Sequence, residues 1–441
     1  MTDIIDTLAG IEAGSELAAV RDLRPQAREN AQRSFTVLLE PADPAGVSLL
    51  ERYAIAAYSV ALQASGSPAA DFYRELLAEE AGDDGERLAS AVTQAAQRDR
   101  QRGPYGVYRE PWHEHESAPG PSVRYDDSSV PAGLPSRLAA ALEHTHLLSL
   151  HPRDARPRHL RRLESAGWSA DDIVTISQLI SFLAFQIRVV DGLRALAGHP
   201  TPEEDQDAED ASAAGTTTPD ATAGGVDTAG SGADDDATPD SQVHEHPDLH
   251  RPQGFTQEGL GWVPWLTPVS QKNLNAAQRS ALIDEFRIQS PYFRLLVRNA
   301  DALEARTLTD KDIFYNTDGG LPRADREIAA SAASRLNGCV YCASVHTSRA
   351  TAESGRGHDV QRLLDEGVEA DLGPRWNAVV SAAAALTTAP SEFSARHIEA
   401  LRDTDCEDAE IIDAINGAAF FNWANRLMLS LGEPEVPARR R

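Results

Sequence analysis

The sequence predicts an all-α protein, two tandem helical domains joined by a disordered acidic linker, and three observations carry that reading. Apolar residues recur at three- and four-residue spacing through both halves, with Ala and Leu abundant and no β-branched alternation of the kind a strand shows. From Thr201 to Ser241, twelve acidic residues stand among Ala, Gly, Thr and Pro without one Lys or Arg. The stretches on either side of that segment also resemble each other.

Length and charge bound the reading further. At 441 residues the chain exceeds one ordinary domain, and two or three are expected. The formal net charge of −27 argues against nucleic acid or an anionic membrane surface as the main partner, because like charges repel. Lys272 and Lys311 are the only lysines, so the positive charge is almost all arginine. The N-terminal Met-Thr-Asp-Ile-Ile-Asp lacks the basic and then apolar run of a secretory signal. The longest apolar stretch, 173–190, is broken by Gln178, Gln186 and Arg188, short of the ~18 uninterrupted apolar residues of a membrane span. A soluble, cytoplasmic protein with no membrane partner is expected.

Taken in chain order, a first domain over 1–198 carries helical patterns at 49–62, 135–148 and 170–196, the last opened by the cap signal Ser169-Ala-Asp-Asp. Residues 199–252 follow as the linker, too poor in apolar surface to offset the entropy of ordering it. A second domain over 253–441 has helices at 323–336, 375–386 and 408–429, the last after Asp405-Cys-Glu-Asp. In Gly-Trp-Val-Pro-Trp-Leu, Trp262 and Trp265 are expected to clamp the start of this domain.

Laying 158–194 on 396–432 without a gap pairs His159 with His397, Ile173 with Ile411, Phe182 with Phe420, Phe185 with Trp423 and Arg188 with Arg426. Upstream, Glu51-Arg-Tyr-Ala-Ile-Ala-Ala falls on Glu327-Ile-Ala-Ala-Ser-Ala-Ala. The two matches differ in offset, which an insertion over the Pro- and Gly-bearing 102–133 explains. Two copies of one helical domain follow. The shared His159 and His397 read as packing or capping residues.

The chemistry gathers in the second copy. Three cysteines in so long a chain are not a secreted disulfide framework, and two of them form Cys339-Val-Tyr-Cys342. Asn337-Gly338 stops one helix just before them, so the dithiol opens the next, where unpaired N–H groups and the macrodipole favour a thiolate. His346 lies one turn beyond Cys342 on the same face. Glu327 sits on the preceding helix, which must fold back across the break. A thiolate can attack a peroxide O–O bond, a second thiol can condense with the resulting sulfenic acid, and a carboxylate–imidazole pair can move the proton. Cys342, Cys339, His346 and Glu327 are therefore the candidate catalytic residues.

The spacing Glu, eleven residues, Cys-x-x-Cys, three residues, His resembles the peroxidase branch of the alkylhydroperoxidase D / carboxymuconolactone decarboxylase superfamily, over about 253–430. Ser290-Pro-Tyr-Phe-Arg-Leu-Leu and Asn337-Gly-Cys-Val-Tyr-Cys-Ala-Ser-Val-His resemble its uncharacterised peroxidase-related subgroup, and Gly103-Pro-Tyr-Gly-Val-Tyr-Arg-Glu with His151-Pro-Arg-Asp-Ala looks like a companion carboxymuconolactone decarboxylase-type domain. The resemblance implies a thiol-dependent peroxidase that reduces hydrogen peroxide or organic hydroperoxides. In it Cys342 is the peroxidatic and Cys339 the resolving thiol, and Glu327 with His346 forms the proton relay. It implies a dithiol reductant protein, thioredoxin-like or lipoyl, and a homo-oligomer, with a trimer favoured. One departure is Tyr341 where the family's peroxidases have a second histidine. The first half lacks the site: Gln63 and Gly66 fall where the cysteines would stand, which makes it a degenerate copy. The alternative reading from another class is a dithiol redox sensor or assembly subunit.

Neither cofactor nor metal is expected. Only His358 or Cys406 could complete a zinc site, and Cys342 with His346 on one continuous helix is no zinc knuckle. Covalent haem would need histidine where Ala343 stands, and no Gly-rich phosphate loop in a strand–helix context calls for flavin or nicotinamide. Cys406 reads as an incidental buried thiol. His113-Glu-His-Glu116 and the tail residues His244, His246 and His250 read as solvated loop.

Overall fold

A computed structural model describes residues 3–125, 134–199 and 241–440. Seven helices of the first half recur in the second. In the first they are α1 Pro25–Leu39, α2 Leu49–Gln63, α3 Pro68–Ala81, α4 Gly85–Asp99, α5 Ser136–Leu150, α6 Pro157–Ser165 and α7 Ala170–Leu196. Their counterparts are α8 Ala300–Tyr315, α9 Arg323–Asn337, α10 Val340–Ser354, α11 Gly357–Glu366, α12 Pro374–Thr387, α13 Ala395–Arg402 and α14 Asp408–Leu431. The fold is all-α, as the periodicity predicts. Among the described residues the one sheet pairs β1 Gly261–Pro264 antiparallel with β2 Gly432–Glu435.

Local chemistry starts these helices where the sequence places them. Ser169 and Asp172 form a reciprocal capping box on α7, and Ser48 with Glu51 does the same on α2. His159 and His397 close the matching boxes of α6 and α13, each Nδ1 accepting the backbone N–H three residues earlier. They cap, as their sharing by both halves implies. For α14 the cap is Glu407 with Glu410 rather than Asp405, which turns the chain with a left-handed φ of 62°.

The copies meet along a pseudo-twofold arrangement in which α1 packs on α8 and α7 on α14. Residues matched in the repeat face each other there. Phe182 lies edge-on to Trp423 at 5.3 Å, and Phe185 to Phe420 at 6.3 Å. Arg188 donates from Nη2 to Thr387 O (3.1 Å) at the end of α12, and Arg426 donates from Nη2 to Ser149 O (3.1 Å) at the end of α5. Each buried guanidinium thus closes the carbonyl end of a helix in the other half, where the helix dipole favours a cation. Burial lowers the Arg188 pKa to about 10 and holds that of Arg426 well below its ordinary value.

The largest apolar cluster runs through both halves, so the expected pair of tethered domains is two halves on a shared core. α7 is long and apolar enough to cross a membrane by length and composition, but its apolar window is entirely buried inside the protein.

Two expectations from sequence change. The expected linker, 199–252, falls mostly on 200–240, outside the described residues, and its last part is packed. Val243 is buried and bridges Leu266, Gln242 N–H donates to Glu164 Oε1 (2.8 Å), and His244 N–H donates to Trp265 O (2.7 Å). His246 Nε2 meets Pro264 O at 3.0 Å and is half-buried, whereas His244 and His250 stay exposed as expected. Backbone pairing with 264–267 holds this segment, and composition does not report backbone pairing.

The second change is the register of the repeat. Arg52 donates to the carbonyls of Val47, Leu38 and Pro44, and Arg326 to those of Leu321, Ile313 and Gly319. Arg52 therefore answers to Arg326, and α2 and α9 then start and end together. Glu51 corresponds to Asp325, and Tyr53, not Glu51, stands in the place of Glu327. The matching glutamates were a two-residue slip along alanine-rich helices.

Candidate active site

α9 stops where Gly338 takes a left-handed φ of 79°, as Asn337-Gly338 predicts. A Cβ there would also meet Arg153 and Tyr108 of the first half at 3.3 Å, a tight contact added to the backbone conformation that favours glycine. Cys339 occupies the N-cap of α10 and its carbonyl accepts from Ala343 N–H at 2.9 Å. The free thiols of Cys339 and Cys342 stand 2.8 Å apart, sulfur to sulfur.

Both are buried, Cys339 to 1% and Cys342 to 4% exposure, in the cluster shared by the two halves. This corrects one expectation. Burial, then the neighbouring Cys342, pushes the Cys339 thiol well up, so at this sulfur desolvation outweighs the helix N-terminus. Cys339 nevertheless borders a cleft. Tyr341 lines the same cleft, its phenol pushed up to about 12 by burial and so a neutral donor.

Glu327 is on the fifth position of α9 and carries no solvent exposure. Its Oε2 lies 2.5 Å from His346 Nδ1, and its Oε1 accepts from Arg323 Nε at 2.5 Å. Burial pushes its carboxyl up, but His346 and Arg323 outweigh that and hold it below the usual range. An ionised Glu327 keeps the proton on Nδ1, which leaves Nε2 of His346 as the basic nitrogen. The ring is fixed by Phe421 at 4.0 Å, edge-on, and Phe314 at 5.7 Å. All four sequence-predicted residues thus lie on α9, α10 and the turn between them. The arrangement can hold a dithiol beside an oriented imidazole.

Sequence reasoning missed Arg323, though its spacing of four before Glu327 on a helix is a legible signal. It also missed the contribution of the first half. The insertion that separates the two matches crosses the dithiol turn: Tyr108 packs on Gly338, and Glu116 clasps Arg335 at 2.8 Å while His113 Nδ1 meets Glu116 at 2.7 Å. His113 is buried and with Glu116 forms a clasp, because the buried Arg335 demands a counter-charge, whereas Glu114 and His115 between them stay exposed. Cys406 lies apart in the second apolar cluster with Trp376 and Phe393. Trp262 Nε1–H donates to Met428 O (3.0 Å) and Trp265 Nε1–H to Glu433 Oε1 (2.9 Å), tying the start of the second half to its end.

Fold and site together define an all-α protein of two matching halves with one dithiol turn. Residues 300–385, from α8 through most of α12 in the second half, match the model of the carboxymuconolactone decarboxylase family. That stretch contains Glu327, Cys339, Cys342 and His346. None of the curated proteins matches the chain.

Proposed function

We propose that the protein is a thiol-dependent peroxidase working through a dithiol/disulfide cycle at Cys339 and Cys342. The observation that carries this is the 2.5 Å contact of His346 with the buried Glu327, on the two helices that meet at a pair of sulfurs 2.8 Å apart. His346 Nε2 takes the proton of Cys342, one turn away. The thiolate attacks the distal peroxide oxygen, the O–O bond breaks, and the alkoxide or hydroxide leaves with that proton. The Cys339 thiol then attacks the sulfenic sulfur, releasing water and forming the disulfide. An external dithiol, thioredoxin-like or lipoyl, reduces it and is itself oxidised. The first half acts as a degenerate copy that supplies one wall of the site.

The test is hydroperoxide consumption by purified protein with excess dithiothreitol. Many turnovers per chain are expected, with Cys342→Ser inactive and Cys339→Ser trapped as a sulfenic acid at Cys342 by mass spectrometry. Consumption of a single equivalent supports a second reading, a redox sensor, which the burial of both thiols favours.

A further inference from the structure

A narrow cleft of about 30 Å³, continuous with solvent, borders Cys339, and the first half forms part of its wall. Its lining is unlike the rest of this chain. Four arginines, Arg109, Arg153, Arg156 and Arg251, meet there with only two carboxylates, Glu110 and Glu433, on a protein of net charge −27. They come from three separate segments: the insertion after α4, the turn after α5, and the stretch leading to β1.

The two carboxylates are already engaged. Arg109 Nη2 lies 2.9 Å from Glu433, and Arg251 bridges Glu433 (2.5 Å) and Glu110 (3.0 Å). Arg153 spends Nη2 on Leu336 O (2.8 Å), and its guanidinium lies 4.5 Å from the Tyr108 ring centre. Arg156 hydrogen-bonds no carboxylate. Its Nη1 donates to the carbonyls of Arg153 (2.9 Å) and Ala155 (2.7 Å), and Nε and Nη2 have no partner among the described residues. Burial and then Arg109 lower the Arg156 pKa to about 10, and burial and then Arg251 lower that of Arg109. In each, burial and a like charge outweigh the nearby carboxylates, Asp154 at Arg156 and Glu433 with Glu110 at Arg109.

We infer that this cleft binds the carboxylate of an organic anion and holds it beside Cys339, with Arg156 as the principal contact. An anion there adds to the partial compensation that Asp154 gives Arg156, whose Nε and Nη2 donors meet no carboxylate. Resting on the dithiol reading above, the anion belongs to one of the two small molecules that must reach the sulfurs: a carboxylate-bearing dithiol or a carboxylate-bearing hydroperoxide.

The direct test needs no turnover. The reduced protein is alkylated at limiting reagent with iodoacetate and, separately, with iodoacetamide, which differ chiefly in the carboxylate, and modification of Cys339 is followed by mass spectrometry. The iodoacetate-to-iodoacetamide rate ratio at Cys339 is expected to exceed that of the chain unfolded in denaturant by at least about fivefold. It should fall towards the unfolded ratio in Arg156→Gln and survive in Arg156→Lys. A ratio equal to that of the unfolded chain, or one indifferent to both variants, overturns the inference.

Kinetics with dihydrolipoate against dihydrolipoamide, and with a carboxylate-bearing alkyl hydroperoxide against its methyl ester, then separate the sources. A higher kcat/KM for the acid in one pair assigns the site to that reactant. No preference in either pair overturns the assignment. Turnover of hydrogen peroxide with dithiothreitol, both uncharged, reports on the dithiol cycle alone, so failure of that cycle and failure of the anion site are read separately.

Discussion

Glu327 has no exposure to water, and two hydrogen-bond donors, Arg323 and His346, divide its two oxygens. Removing the charge while keeping the shape leaves both donors facing a weaker acceptor. Glu327→Gln is therefore expected to lower stability by about 1–3 kcal/mol, read from urea midpoints at pH 7. The folded carboxyl titrates below its ordinary value of 4.5, so its contribution is present above that value and is lost as pH falls through the folded pKa. The gap between wild type and variant should close in acid; a gap that persists or widens there contradicts the ion-pair account. Asp191 on α7 behaves oppositely. Burial raises its carboxyl to about 7, so the native state keeps a proton that the unfolded chain releases near 3.8. Stability is then lost as pH rises from about 4 to 7, and Asp191→Asn should melt above wild type at pH 8 and level with it at pH 4. The four proposed catalytic residues are legible in the sequence because they are local, within one helix–turn–helix. The cleft arginines are not, because no spacing links Arg109, Arg156 and Arg251.

At the scale of elements, the α9–α10 turn is the feature that matters most. Its left-handed glycine is written in Asn337-Gly338, but its second constraint, contact with Arg153 and Tyr108, comes from the other half of the chain. Gly338→Ala is expected to cost about 1–2 kcal/mol for the positive φ alone. The contact adds to that, and a shift of the α9–α10 angle should appear as a changed alkylation rate at Cys339. An unchanged melting temperature rules the strain out. Helix existence and caps follow from composition and from Ser, Asp and Glu at the right offsets. Register between the copies does not, because alanine-rich helices offer few landmarks and a slip of two residues still pairs Ala with Ala. Only the carbonyl partners of Arg52 and Arg326 fix it. The insertion, loop-like in sequence, is a clasp because the buried Arg335 needs Glu116.

For the whole molecule, the apolar cluster that spans α7 and α14 has a thermodynamic consequence. The largest core is built by both halves together, so the chain should unfold in a single calorimetric transition with equal calorimetric and van't Hoff enthalpies. Two resolved transitions point instead to halves that fold independently. That the chain is helical, that it repeats, where the acidic segment lies and which helix turn carries the thiols are all legible along the chain. Those are consequences of periodicity, capping and local spacing, which act within a few residues. The tertiary structure alone decided that the repeats share one core, that Arg188 and Arg426 each close a helix of the other half, and that desolvation outweighs the helix dipole at Cys339. It also decided that a cleft with arginines from distant segments borders that sulfur. Burial and long-range charge depend on which distant segments meet, and that is fixed only when the chain has folded.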